Sequence, residues 1–170
     1  MAKMGEAIVK DYLEGKGLTV RKIPECDIKN VDFEVFVDNN VLFLLEEKTL
    51  ETGSSDWNGK DPTYNSISKH VYEALKQFKS TNPNNMYPNV LSFTNMDSSR
   101  DIQDLIIVLT GCALFDNNKW VKIHNVGRIK NDLSLIDLYL WFDHDSFTDY
   151  LWGDNNPEHK EVLVKYLELQ

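Results

Sequence analysis

Cysteine, long apolar runs and positive charge are what this sequence has least of. The two cysteines, Cys26 and Cys112, are too few for a disulfide framework, and neither has a ligand partner at zinc-like spacing. Both are expected to be free thiols, with Cys112 buried at the edge of an apolar stretch. No segment approaches the roughly eighteen consecutive apolar residues of a membrane span. The opening Met1-Ala2-Lys3-Met4-Gly5-Glu6 lacks the apolar core of a signal peptide. These absences lead to the expectation of a soluble, cytoplasmic protein with no membrane partner. The chain contains no G-x-S-x-G, P-loop or G-x-G-x-x-G, and His70, His124 and His159 have no nucleophile at a suggestive spacing. Serine or cysteine catalysis therefore has no support.

The shortage of positive charge excludes one class of behaviour. With 27 acidic against 18 basic residues, the net charge of -9 opposes nonspecific coating of nucleic acid through the overall field. A nucleic-acid partner then requires local clustering of basic residues, or carboxylates neutralised by a bound cation. A length of 170 residues, 42% of them hydrophobic, fits one domain with one ordinary core.

Periodicity supplies the elements. Ile8, Val9, Tyr12 and Leu13 predict an amphipathic helix over Lys3 to Glu14, stopped by Gly15 and Gly17, with Glu6 on the flank of its buried stripe. Leu18 to Ile23 is a strand candidate. In Val31 to Val37, Phe33, Val35 and Val37 share one face and Asp32, Glu34 and Phe36 the other. Asp38-Asn39-Asn40 is turn chemistry, and Val41 to Leu45 is apolar on both faces, as a central strand would be, before it ends in Glu46-Glu47-Lys48. Residues 51–65 lack periodicity and read as a long loop. A helix follows over Ser66 to Ser80, with Ile67, Val71, Ala74, Leu75 and Phe78 inward and Lys69, Lys76 and Lys79 largely off that face. Beyond it come a strand over Asn89 to Asn95, a helix over Arg100 to Leu109 ended by Gly111, and strands over Trp120 to His124 and Leu135 to Phe142. A last helix opens at Asn156-Pro157-Glu158. The order predicts an α/β domain whose mixed central sheet contains a hairpin and is flanked by helices.

One constellation carries chemistry. Leu44, Glu46 and Lys48 share a strand face, and hairpin pairing could bring Asp32 beside Glu46. Two carboxylates held close repel, and partial burial adds a desolvation cost, so one takes up a proton unless a cation compensates. Oxygen ligands with room for water and phosphate suit Mg²⁺ or Mn²⁺ better than zinc. The ligands would be Asp32 and Glu46, with the backbone carbonyl of Glu47 as a third; Glu34 is the rival for Asp32. Lys48 would orient a water or stabilise charge on a phosphate. The bland alternative is that Glu46, Glu47 and Lys48 form the solvated end of a strand.

An acid on a helix, an Asp on a strand, an (D/E)-x-K on the next strand and a polar residue on the following helix stand here as Glu6, Asp32, Glu46-Glu47-Lys48 and Gln77. This arrangement resembles the PD-(D/E)XK nuclease superfamily, which includes restriction-endonuclease-like and Holliday-junction-resolvase-like proteins. The resemblance spans roughly Gly5 to Ser80, and Val31 replaces the proline that often precedes the Asp. It implies a restriction-endonuclease-like single domain, a Mg²⁺-dependent or Mn²⁺-dependent nuclease, and catalytic roles for Glu6, Asp32, Glu46 and Lys48. DNA is favoured over RNA, and coordinated cutting of two strands would call for a homodimer. Candidate nucleic-acid contacts are Trp57, Lys60, Lys69, Lys76 and Gln77, with Tyr64 a further ring; each also has a plainer reading as part of a polar loop or solvated helix face. The other reading of the whole chain is a noncatalytic nuclease-fold module that binds a protein partner.

Overall fold

The computed structural model describes residues 2–24, 29–52, 62–115, 119–123, 129, 133–153 and 156–169. Helix α1 (Ala2–Gly15) forms where the apolar spacing places it, with Val9 and Leu13 fully buried. Gly17, at φ 81°, takes the left-handed conformation that lets the chain turn back, and Leu18 N–H donates to the Leu13 carbonyl at 3.2 Å.

Strands β1 (Thr19–Lys22), β2 (Phe33–Val37) and β3 (Asn40–Leu50) form an antiparallel meander. The β2–β3 turn holds Asp38 at φ 47° and Asn39 at φ 64°, the two positive angles that a tight hairpin needs and that these residue types tolerate. Phe33, Val35 and Val37 face one core as expected, although a bulge after Val35 also buries Phe36, beneath the Arg21 guanidinium. Asp32 stands in a bend just before β2 and not within it.

The central strand, expected to end at Lys48, runs on to Leu50. Pairing with β2 does stop at Phe33 opposite Leu45, but on its other edge β3 runs parallel to β4 (Asn89–Asn95) from Leu44 opposite Asn89 to Leu50 opposite Asn95. The second neighbour thus carries the strand five residues further. Helix α2 (Pro62–Thr81), which connects these strands, begins four residues before the expected start and takes in Tyr64, so the loop is shorter than 51–65. Trp57 and Lys60 lie outside the described residues.

Helix α3 (Ile102–Thr110) starts on a capping box between Asp101 and Asp104 and ends at Gly111, φ 70°. Strands β5 (Cys112–Phe115) and β6 (Lys119–Lys122) pair with each other in a separate small sheet. Of the segment expected over Trp120 to His124, residues 120–122 are therefore outside the main sheet and His124 lies outside the described residues, and Cys112 is a half-exposed free thiol instead of a buried one. A single 3-10 turn at Leu133–Leu135 precedes β7 (Leu138–Asp143), which begins three residues later than expected and continues through a tight turn at His144 into β8 (Ser146–Trp152). Helix α4 (Pro157–Leu167) starts on the expected Asn156 cap.

The main sheet has six strands in the order β1-β2-β3-β4-β7-β8, parallel across β3, β4 and β7 and antiparallel at both flanks. Val9, Leu13, Leu163 and Leu167 of α1 and α4 cover one face; Ile67, Val71, Phe78 and Leu105 of α2 and α3 cover the other. Each fully buried Leu, Ile or Phe contributes about 1.5–3 kcal/mol, so the apolar stripes hold the helices. The α/β class with a mixed, helix-flanked sheet in a single domain is as expected. Among the described residues no helix is long and apolar enough to cross a membrane.

Candidate active site

The acidic end of β3 is buried, not solvated: Glu46 is 1% exposed and Glu47 5%. Alternation sends their side chains to opposite faces. Glu46 and Lys48 project towards α2, whereas Glu47 lies under α1, where a Cβ at Gly5 would collide with its carboxylate and with the Thr49 hydroxyl. The glycine is what lets helix and strand approach closely there.

Backbone direction explains how Asp32 joins the site. In a strand the N–H and C=O of one residue leave on the same side. Leu44 N–H donates to the Pro88 carbonyl and the Leu50 carbonyl accepts from Met96 N–H, so residues 44, 46, 48 and 50 address β4, and Glu47 addresses the opposite edge. Beyond the end of β2, Asp32 replaces the missing rung: its Oδ2 accepts Glu47 N–H at 2.8 Å, and Glu46 Oε2 accepts Asp32 N–H at 3.0 Å. The Glu47 carbonyl faces the same gap.

Lys48 Nζ sits 2.7 Å from Glu46 Oε1 and donates to Gln77 Oε1 at 3.1 Å, and Gln77 Nε2 donates to the Asn30 carbonyl at 2.9 Å. Gln77 thus locks the lysine to the segment that carries Asp32. Glu6, on the flank of α1, is ion-paired with Lys22 and is near enough to act on both Asp32 and Glu47. The structure therefore brings together Glu6, Asp32, Glu46, Glu47, Lys48 and Gln77. It leaves Lys69 and Lys76 on the exposed side of α2, Lys69 at 4.0 Å from Glu73. Glu34 stands opposite Leu44, two positions before Glu46.

The electrostatics are those of crowded acids. Burial, then the Asp32 charge, pushes Glu46 up to about 7 against the pull of Lys48. Glu47 rises to about 8, chiefly by burial, with Thr94 and Thr49 opposing and Asp32 and Glu6 adding to the rise. Asp32 is raised by burial and by Glu6, partly offset by the Glu47 N–H bond and by Lys48 and Lys22. Such a set holds extra protons at neutral pH, or a cation in their place.

Among the described residues no group of three or more His, Cys, Asp or Glu side chains is disposed to hold a metal ion. The donors that converge here are two carboxylates, Asp32 and Glu46, and one backbone carbonyl, that of Glu47. They are all hard oxygens under protonation pressure, and that chemistry fits Mg²⁺ or Mn²⁺.

Sequence reasoning missed His70 and Glu73. With Gln77 they recur at i, i+3 and i+7 on α2, a polar stripe beside the apolar one, and that spacing was the available signal. Glu73 Oε2 lies 4.0 Å from Lys48 Nζ and 3.8 Å from His70 Nδ1. No family model, curated protein or solved structure matches the chain.

Proposed function

We propose that the protein is a metal-dependent nuclease of restriction-endonuclease-like fold that hydrolyses phosphodiester bonds, with DNA favoured over RNA. The observation that carries the reading is the convergence of Asp32, Glu46 and Lys48 at a buried strand position that gains nothing in stability from holding acids there. Bound between Asp32, Glu46 and the Glu47 carbonyl, Mg²⁺ or Mn²⁺ would polarise a phosphoryl oxygen and acidify a water. Asp32 and Glu46 supply the negative charge that selects a cation. Lys48, held at 2.7 Å from Glu46 and oriented by Gln77, aims a positive charge and N–H donors at the phosphate. Glu6 tunes the acids from the α1 side.

The test is Mg²⁺-dependent cleavage of plasmid DNA and of single-stranded RNA by the wild type and by Lys48→Ala. Loss of the lysine should lower cleavage by about a thousandfold while circular dichroism and melting stay close to wild type. Undiminished Mg²⁺-dependent cutting by the variant would remove Lys48 from the mechanism.

The second reading, a noncatalytic module that binds a protein partner, is favoured by the net charge of -9 and by the Lys48–Glu46 pair, which already satisfies one carboxylate oxygen. It predicts that neither Mg²⁺ nor Mn²⁺ binds at Asp32 and Glu46.

A further inference from the structure

Away from the acids, the structure encloses a cavity of about 430 Å³, within the size range of small-molecule sites. Its walls are Ile106 and Leu109 of α3, Tyr139 and Leu151 on the paired strands β7 and β8, Leu133 of the 3-10 turn, and Trp120 of β6. The fold leaves room there because α3 spans only nine residues and stops at Gly111, where the chain departs for the β5–β6 ribbon. The face of the sheet at its β8 edge is therefore only partly covered. Two side chains in the walls lack partners. Trp120 is 55% exposed, and no other ring or cation stacks on it among the described residues. Trp152 also borders the cavity, but its ring is taken by Lys160 Nζ, 5.0 Å from its centroid, and by the edge of Tyr150. Tyr139 is only 3% exposed, yet its hydroxyl has no hydrogen-bond partner among the described residues. A buried tyrosine hydroxyl normally finds a partner, and one without calls for an explanation. The other lining hydroxyls need none: Thr110 Oγ1 donates to the Ile106 carbonyl at 2.7 Å and accepts Cys112 N–H at 3.0 Å, and Ser134 is exposed to water.

We propose that this cavity is a binding site for a small, uncharged molecule with a planar aromatic body and one hydrogen-bonding oxygen. The volume sets the size. Charge is excluded because no Asp, Glu, Lys, Arg or His lines the cavity among the described residues, and an ion entering apolar walls would lose its hydration without compensation. A planar body fits the free face of Trp120, with the aliphatic side chains of Ile106, Leu109 and Leu151 packing against it. The oxygen accepts the Tyr139 O–H, which burial keeps protonated, and so satisfies the group that the protein leaves alone. None of these residues belongs to the candidate active site: Tyr139 and Glu46 lie on either side of β4, with Leu91 between them in register. The cavity site therefore stands whether or not the chain cuts nucleic acid.

The experiment titrates the full chain at neutral pH with 2-naphthol, naphthalene and 2-naphthoate, which share one planar body and differ in the hydroxyl and the charge. Binding is followed by nuclear magnetic resonance at the methyl groups of Ile106, Leu109 and Leu151 and at the Trp120 indole N–H. With 2-naphthol all of these signals should shift and saturate together, and 2-naphthoate should bind at least about tenfold more weakly. Tyr139→Phe should weaken 2-naphthol by about fivefold, the contribution of one neutral hydrogen bond, and leave naphthalene unchanged. Because the hydroxyl makes no structural bond, that variant should melt no lower than the wild type. Trp120→Ala, at an exposed position, should weaken 2-naphthol and naphthalene alike, by about tenfold. Signals that do not saturate, an unchanged affinity of Tyr139→Phe for 2-naphthol, a clear loss of its stability, or equal binding of the charged and uncharged probes would overturn the site. Shifts confined to Trp120, with the methyl groups still, would also overturn it and leave the exposed ring as a contact for a protein surface.

Discussion

The two ends of the parallel strands bury polar side chains to similar depth and treat them in opposite ways. Where β4 and β7 begin, Asp137 accepts Asn89 N–H at 2.8 Å through Oδ2 and meets His159 Nδ1 at 3.0 Å through Oδ1. Asn89 Nδ2 donates to the Leu135 carbonyl and to Asn85, and Asn82 donates to the Tyr87 carbonyl and to Asn89. Donors and acceptors are matched, and the network clamps α4, the turn after α2 and two strands together. Where β3 and β4 finish, acids crowd one another, Glu46 and Glu47 are driven up to about 7 and about 8, and Arg100, ion-paired with Asp97, and His70 keep buried nitrogens that make no hydrogen bond. A satisfied network is explained by stability alone, while an unsatisfied one calls for a ligand.

The comparison can be broken most forcefully at its structural end. Asp137→Ala strands the Asn89 N–H and the His159 ring in the core and should cost about 3–5 kcal/mol in urea unfolding. Cleavage per folded molecule should stay at the wild-type level; a selective loss of cleavage in a stable variant would show that the two ends are not separate in role.

A smaller effect distinguishes the candidate site by pH. Glu46 and Glu47 hold their protons in the folded protein up to about 7 and about 8, whereas in the unfolded chain they release them near 4.5. Between those values the unfolded state binds fewer protons, so stability falls as pH rises from about 4.5 to about 8; below 4.5 both states are protonated and the penalty disappears. The decline, measured by denaturant unfolding in EDTA, should amount to several kcal/mol. Saturating Mg²⁺ should flatten it, because the cation replaces the protons. A flat profile in EDTA would mean that these acids are not under strain.

The extent to which this was legible in the sequence follows from how local each determinant is. The β2–β3 hairpin, α1 and the apolar face of α2 rest on turn residues and short-range periodicity, and they stand where the sequence placed them. The continuation of β3 past Lys48 depends on β4, more than forty residues away, and a single strand cannot announce its second neighbour. The same limit hid β5 and β8, whose partners define them. In the site, Asp32, Glu46 and Lys48 follow from strand alternation and hairpin pairing, whereas Gln77 entered only through what the resemblance implies. His70 and Glu73 were not found, because a polar stripe on a helix has the same pattern whether it faces water or a buried lysine. Arg100 gave no local signal.

The smallest effect sharpens the boundary of the site. Glu6→Gln removes a half-exposed ion pair with Lys22 and should change stability by less than about 1 kcal/mol. It also removes a charge that raises Asp32 and Glu47, so the pH-dependent decline in EDTA should be smaller and end at a lower pH. An unchanged profile would place Glu6 outside the electrostatic unit.

Anomalous diffraction from crystals soaked in Mn²⁺ tests the central claim most directly. The account predicts an ion between Asp32, Glu46 and the Glu47 carbonyl, with the Asp32 and Glu46 carboxylates turned onto it and Lys48 released from Glu46 Oε1. Full soaking with no peak there, and the Lys48–Glu46 pair unaltered at 2.7 Å, would contradict it.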